Sequence, residues 1–149
     1  MPQDNLPTKK VLDRNISALN AHDIEAYLAN QHPDVELILG DGTCLRGHEQ
    51  VRQYIQALLA AFPDGQLTFG QQVLGPDAAA TEVSFSGTNT GPLPSPAGML
   101  PPTGRTVHLR SASMLQIRDG LIASEHNYAD QLELMTQLGL AGPAGPPAT

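Results

Sequence analysis

The sequence predicts an α+β domain in which helices lie against one face of a curved, mainly antiparallel sheet. Three observations carry this. Apolar residues recur at helical spacing as far as Phe62, the period changes to two from Gln66 onward, and Arg118-Asp119-Gly120 joins the two strongest strand patterns as a hairpin.

The opening helix rests on Val11, Leu12, Asn15, Ile16 and Leu19, which leaves Lys9, Lys10, Asp13 and Arg14 largely on the wet side. Asn20-Ala21-His22-Asp23 breaks that run, and Asp23 can cap a short second helix through Ile24, Ala26, Tyr27 and Leu28. His32-Pro33-Asp34 is expected to stop it, because a residue before proline avoids the α region. Residues 35–39 read as a strand, followed by a Gly40-Asp41-Gly42 turn. Val51, Tyr54, Ile55, Leu58, Leu59 and Phe62 form the cleanest helical stripe, ended by Pro63-Asp64-Gly65. Leu67, Phe69 and Val73-Leu74 mark the next strand, and Thr81, Val83 and Phe85 alternate with Glu82, Ser84 and Ser86 in the one after. A Pro/Gly stretch over 91–104 precedes the longest strand, 107–117, whose return strand is 121–128. Asp130 and Glu133 form a capping box for a last helix through Leu132, Leu134, Met135 and Leu138, with Gly139 to close it. Residues 8–140 are thus expected as one pocket domain, with 1–7 and 141–149 as flexible termini.

Composition narrows the function classes. The 149 residues are 40% apolar and 15% charged, enough for a single core. No apolar run approaches the roughly 20 residues a bilayer crossing needs. Met1-Pro2-Gln3-Asp4 lacks the basic-then-apolar start of a signal peptide, so a cytoplasmic protein without membrane partners is expected. A net charge of −7, with no basic run, repels nucleic acid, and the absence of Trp leaves few stacking platforms. One cysteine, Cys44, excludes an internal disulfide and a paired-cysteine zinc site, and is expected to act as a small apolar residue. Asn15-Ile16-Ser17 fits a glycosylation sequon but falls in a helical pattern, where it reads as chance.

The informative breaks lie on the last two strands. Along 107–117 the apolar face runs Val107, Leu109, Leu115, Ile117, with Ser111 and Ser113 interrupting it. On the return strand, alternation groups Leu121, Ala123, Glu125 and Asn127 against Ile122, Ser124, His126 and Tyr128. If Leu121 and Ala123 face inward, Glu125 and Asn127 do too. A carboxylate there must be hydrogen-bonded or kept neutral. Two readings stand side by side: these groups line a cavity between sheet and helices, or the strand end splays and Glu125 is solvated. On the first, Glu125 and Asn127 are the candidate catalytic residues, and Ser111, Ser113, Tyr54, Leu58 and Phe85 the candidate ligand-binding ones.

Other polar groups read as structural. His108 and Arg110 share the opposite face, where Glu82 suggests a surface or dimer-interface ion pair. His22, His32 and His48 sit at helix ends or in loops, are expected to be solvated, and have no metal-ligand spacing. Gly87-Thr88-Asn89-Thr90-Gly91 lacks the lysine and following helix of a phosphate loop and reads as a bent strand end entering a flexible flap. No metal or cofactor site is expected.

Taken in order, Asn20-Ala21-His22-Asp23, His32-Pro33-Asp34, Gly47, Phe62-Pro63-Asp64, Gly87-Thr88-Asn89-Thr90-Gly91, Pro101-Pro102-Thr103-Gly104-Arg105, Arg118-Asp119-Gly120-Leu121-Ile122, Tyr128-Ala129-Asp130 and Gln137-Leu138-Gly139 resemble the SnoaL-like polyketide cyclase family of the nuclear-transport-factor-2-like (NTF2-like) superfamily. The resemblance implies a conical α+β barrel with N-terminal helices on its concave face, commonly a homodimer, with a deep pocket for a small apolar or polyketide-like molecule. It also implies cofactor-independent aldol ring closure by an Asp on the return strand, assisted by a His on the strand before it. Anchored on Asp119-Gly120, that Asp falls on Asn127 and that His on Ser113, while Asp130 matches a further family acid. An Asn amide cannot exchange a proton near neutral pH. Two functions follow: an enzyme in which Glu125 moves the proton and Asn127 and Ser113 orient an oxygen, or a non-catalytic ligand-binding or dimeric interaction module of the same fold.

Overall fold

The computed structural model describes residues 5–95 and 97–141. The expectation of a flexible tail therefore falls largely outside the described residues, while helix α1 already begins at Leu6, inside the segment expected as a terminal arm.

Helices α1 (Leu6–Asn20), α2 (Ile24–Ala29) and α3 (Gly47–Ala61) come early, α4 (Gln131–Gln137) comes last, and strands β1 (Gln31–Ile38) to β8 (Leu121–Ala129) lie between and around them. The main sheet has the order β2-β1-β8-β7-β4-β3, where β2 is Cys44–Arg46, β3 Gln66–Leu74, β4 Ala78–Thr88 and β7 Thr106–Arg118. Its pairings are antiparallel except for β1 against β8. The sheet curls without closing, since β2 and β3 are left as edges, so the expected conical barrel is an open one.

Several boundaries differ from expectation for local reasons. Asp23 does cap α2, accepting a hydrogen bond from the backbone N–H of Ala26 at 3.0 Å. Yet α2 ends at Ala29, and His32-Pro33-Asp34 belongs to β1 rather than to the break before it. Proline is tolerated because the pairing of β1 with β8 slips between Gln31 and Glu36, so no ladder bond is required there. The stretch 91–104 contains a hairpin, β5 (Leu93–Ser95) with β6 (Gly98–Leu100). Asn89, 1% exposed, fastens its base: the side chain donates to the carbonyls of Ala61 and Gly91 and accepts from Thr103. A Cβ on Gly91 would lie 1.9 Å from the Ala60 carbonyl oxygen, which is why glycine stands there.

Between sheet and helices the core divides in two. One cluster gathers Val11, Leu12, Tyr27, Leu28, Val35, Leu37, Val51, Ile55, Leu115 and Ile122. The other gathers Ala61, Phe62, Val107 and Leu138, with Leu58, Phe85, Leu93 and Leu109 packed against them. Strand β7 passes from one to the other, and Ser111 and Ser113 lie at the crossing. Among the described residues, no helix is long and apolar enough to cross a membrane.

Candidate functional site

The register of β7 against its neighbours places the site. Ser113 pairs with Asn127 on one side and Thr81 on the other, and Thr81 pairs with Gln72, so one row across the inner face is polar on each of these strands. One step toward the hairpin turn, Glu125 stands between Leu37 of β1 and Leu115 of β7. Ser111 pairs with Val83 and Ala129 one step the other way.

Glu125 and Asn127 do face inward, but not by the simple alternation expected. A bulge at Ala123 interrupts the pairing, since Ile117 opposes Ile122 while Gln116 opposes Ser124. Ile122, fully buried, therefore takes the inward place expected of Leu121, which pairs with Arg118 on the outer side. Beyond the bulge the alternation resumes with Glu125 and Asn127 inward. A second bulge, at Gly70-Gln71 in β3, turns Val73 outward at 65% exposure and brings Gln72 in line with Thr81.

The polar groups form a short chain. The Asn127 amide donates to Ser113 Oγ at 3.2 Å, and Ser113 Oγ donates to Glu125 Oε2 at 3.0 Å. Ser113 is 2% exposed, whereas Glu125 and Asn127 keep partial exposure despite facing into the molecule. Tyr54, Leu58, Phe85 and Ser111, on the same interior surface, are likewise only partly buried. Removal from water pushes the Glu125 carboxyl above the usual carboxylate range, and the Ser113 hydrogen bond opposes part of that rise.

Two tyrosines feel the charge of this carboxyl. Burial, then the charge of Glu125, hold the Tyr27 phenol well above its ordinary value, and Tyr54 is pushed up to about 12 by burial, Glu125 and Asp41. Both phenols thus stay protonated at neutral pH. Tyr54 was expected here from its place on the α3 stripe. Tyr27 was legible only as a core position of α2, because its spacing carries no mark of the carboxylate whose charge it feels.

Two cavities lie elsewhere. One of about 850 Å³ is an open groove along α1 and α2, lined by residues such as Arg14, Ala18, Ala26 and Leu121. The other, about 200 Å³, is bounded by Thr8, Pro76, Ile117 and Asp119. Neither includes Glu125, Ser113 or Asn127, so the deep pocket implied at those residues does not coincide with these two depressions.

The remaining polar residues behave structurally. Cys44 is exposed on β2 rather than acting as a buried apolar residue. His22 and His48 are not simply solvated: their ring nitrogens lie 2.9 Å from the carbonyls of Gly65 and Gln31. His32 receives the backbone N–H of Asp34 and lies against Arg118. His108 and Arg110 are exposed on the outer face as expected, but the described residues include no ion pair between them and Glu82. Asn15 is buried and accepts a hydrogen bond from Gln31. Asp130 accepts from the N–H of Glu133 as a helix cap. Among the described residues there is no group of three or more His, Cys, Asp or Glu side chains placed to hold a metal ion.

Residues 9–138 match the family model described as SnoaL-like polyketide cyclase. Similar solved structures include a candidate SnoaL-like polyketide cyclase from Jannaschia sp. CCS1, at 18% identity and TM-score 0.82, covering 96% of this chain and 98% of that one. TsrD from Streptomyces laurentii is 26% identical, with TM-score 0.80 and coverage of 94% and 100%. IdmH from Streptomyces antibioticus, described as a candidate polyketide cyclase, is 27% identical, with TM-score 0.74 and coverage of 90% and 99%. No curated protein matches the sequence significantly.

Proposed function

Because the chain belongs to the SnoaL-like polyketide cyclase family, we propose that it acts by acid/base chemistry on a small, apolar, polyketide-like carbonyl compound, with Glu125 as the proton-transfer group. One observation supports this above the others: a half-buried carboxylate of raised pKa, held through Oε2 by Ser113, leaves Oε1 without a protein partner where the core divides. A base works best when its pKa approaches the operating pH, and desolvation moves a carboxylate in that direction. Asn127 fixes Ser113, and Ser113 fixes one carboxylate oxygen, so the proton is exchanged at the other. Ser111, Tyr54, Leu58 and Phe85 form the surface for an apolar substrate. Proton transfer of this kind needs no cofactor.

The test is α-proton exchange of an apolar ketone, 1-phenylpropan-1-one, in heavy water, followed by proton NMR. Wild-type protein accelerates the exchange, and Glu125→Gln reduces the acceleration on the order of 100-fold or more while the fold stays intact. Undiminished exchange in a folded Glu125→Gln variant overturns the assignment.

A second reading, a non-catalytic binding module, is favoured by the closed chain Asn127–Ser113–Glu125, in which a static hydrogen-bond network already satisfies one carboxylate oxygen. It predicts a bound ligand recovered unchanged. A homodimer belongs to either reading. Met114 and Tyr128, both more than half exposed on the outer sheet face, offer apolar surface for a second copy.

A further inference from the structure

The outer face of the sheet carries a pattern that the proposed chemistry leaves unused. Its side chains stand on a grid, with neighbouring strands roughly 4.8 Å apart and same-face residues roughly 6.8 Å apart along each strand. Ser84 of β4 stands beside Arg110 of β7, and Glu82 beside Ala112 and then Tyr128 of β8. In the next row Ala80 stands beside Met114, His126 and Ile38 of β1. Met114 and Tyr128 are large and apolar, yet 57% and 58% exposed. Glu82 and Arg110 are exposed, and among the described residues neither enters an ion pair. The Glu82 carboxylate lies over Gly70 of β3, on the side away from Arg110, so the two charges do not close on each other within one copy. His126 is half-buried between Met114 and Ile38 and makes no hydrogen bond among the described residues.

A diagonal through Ser84, Ala112 and His126 divides this grid into matching halves. Turned over about that line, Arg110 falls on Glu82 and Met114 falls on Tyr128. A two-fold line along β4, along β7 or along the other diagonal would instead set Glu82 or Arg110 against its own counterpart. Self-complementarity of this kind is what a two-fold contact between identical surfaces requires. We infer that the outer face binds a second copy of this chain about the Ser84–Ala112–His126 line, and that protonation of His126 opens the pair. This rests on the two-copy reading above and not on Glu125. Ala112, small and on the line, lets the two sheets approach. Arg110 then meets Glu82 of the second copy, and the Met114 thioether meets the ring of its Tyr128. His126 faces its own counterpart. Histidine is the side chain that gains charge between pH 8 and pH 5, and two imidazolium groups face to face in a contact repel. Tyr128 and Cys44 flank His126, and Glu36 is held by Arg46 at 3.5 Å. Glu82, Arg110 and His108, and Arg118 beside His32, stand farther along the strands.

Sedimentation equilibrium of the full chain tests both parts. The wild-type chain is a dimer at pH 8, and its dissociation constant rises roughly 10-fold or more at pH 5. Glu82→Arg and Arg110→Glu each weaken the pH 8 dimer roughly 10-fold or more, and the two changes together restore it to within about threefold of wild type. His126→Gln removes the pH response, whereas His108→Gln keeps it. A dimer that ignores both charge reversals, that the paired reversal fails to recover, or whose pH response follows His108 overturns this arrangement and leaves the two-copy reading standing. A chain that is monomeric at pH 8 overturns both. Ketone exchange, scored separately, decides the role of Glu125 in either case.

Discussion

Next to its turn, the β7–β8 hairpin sets Leu115 and Ile122, both buried, against the cluster containing Val35, Val51 and Ile55. Further along the same two strands it sets Ser111, Ser113, Glu125 and Asn127 against the gap between the two clusters. Backbone pairing is antiparallel throughout, so the ladder does not separate the regions. Side-chain chemistry does. Near the turn, branched apolar side chains interlock, and burial is the stabilising term, about 25 cal/mol for each Å² of apolar surface removed from water. Past Leu115 the strands give up that term at Ser113 and Glu125 and accept a desolvated carboxylate. A region that gives up apolar burial and raises a carboxyl pKa fits the chemical role proposed for Glu125 better than a stabilising one.

The largest effect should come from breaking the packed half. Ile122→Ala removes a fully buried side chain and leaves a cavity, at an expected loss of about 2–5 kcal/mol in chemical denaturation. Ser113→Ala, one of the other half's most buried positions, should cost only about 1 kcal/mol. The hydroxyl's two hydrogen bonds, from Asn127 and to Glu125, are each of modest net worth. Equal losses in the two variants would mean that the polar region is packed as densely as the apolar one, and the contrast would disappear.

A sharper probe adds charge where the network has none. Asn127→Asp puts a second carboxylate beside the Ser113–Glu125 pair and removes the amide donor on Ser113. Two like charges in one desolvated site cannot both ionise easily, so they titrate as a coupled pair with at least one step displaced upward. The expected outcome is near wild-type stability at acid pH and a loss on the order of 1–3 kcal/mol at neutral pH. Denaturation at both pH values measures it, and an unchanged neutral-pH stability would show that the site is open to bulk water.

Much of this contrast was legible in the sequence, for reasons tied to particular residues. Strand β7 is unbroken against β4, so its alternation carried Ser111 and Ser113 inward correctly. Strand β8 was harder. Nothing in Leu121-Ile122-Ala123-Ser124 announces that Ala123 is the extra residue, because small and apolar residues suit both faces there. Glu125 was expected inward through Leu121, which in fact pairs on the outer side. Tyr27 escaped notice because helical spacing describes a residue's own helix and not what the curled sheet brings opposite it. Asn89 escaped for a similar reason: a buried latch and a loop polar residue read alike until Thr103 and Ala61 are seen beside it.

The smallest expected effect bears on the same contrast through proton linkage. The folded pKa of Glu125 lies above its unfolded value, because burial outweighs the Ser113 hydrogen bond. A carboxyl shifted in that direction contributes stability that is fully present below its unfolded pKa, roughly 4.3 for Glu. That contribution is lost as pH rises through the folded value, where the folded protein must ionise a desolvated group. Glu125→Gln keeps an oxygen to accept from Ser113 but has no proton to lose. Its melting temperature relative to wild type should therefore climb as pH is raised from 4 toward 8, by about 2–4 °C for each kcal/mol of linkage. Asp41 and Asp64 are displaced the other way by hydrogen bonds from Thr43 and Thr88, and they are common to both proteins, so they cancel in the difference. A flat difference across that range would mean that Glu125 is as hydrated as a surface carboxylate. A falling one would mean that a cation offsets its burial. The flat result would return that half of the hairpin to ordinary solvated structure, and either result would remove the physical basis for a base at that position.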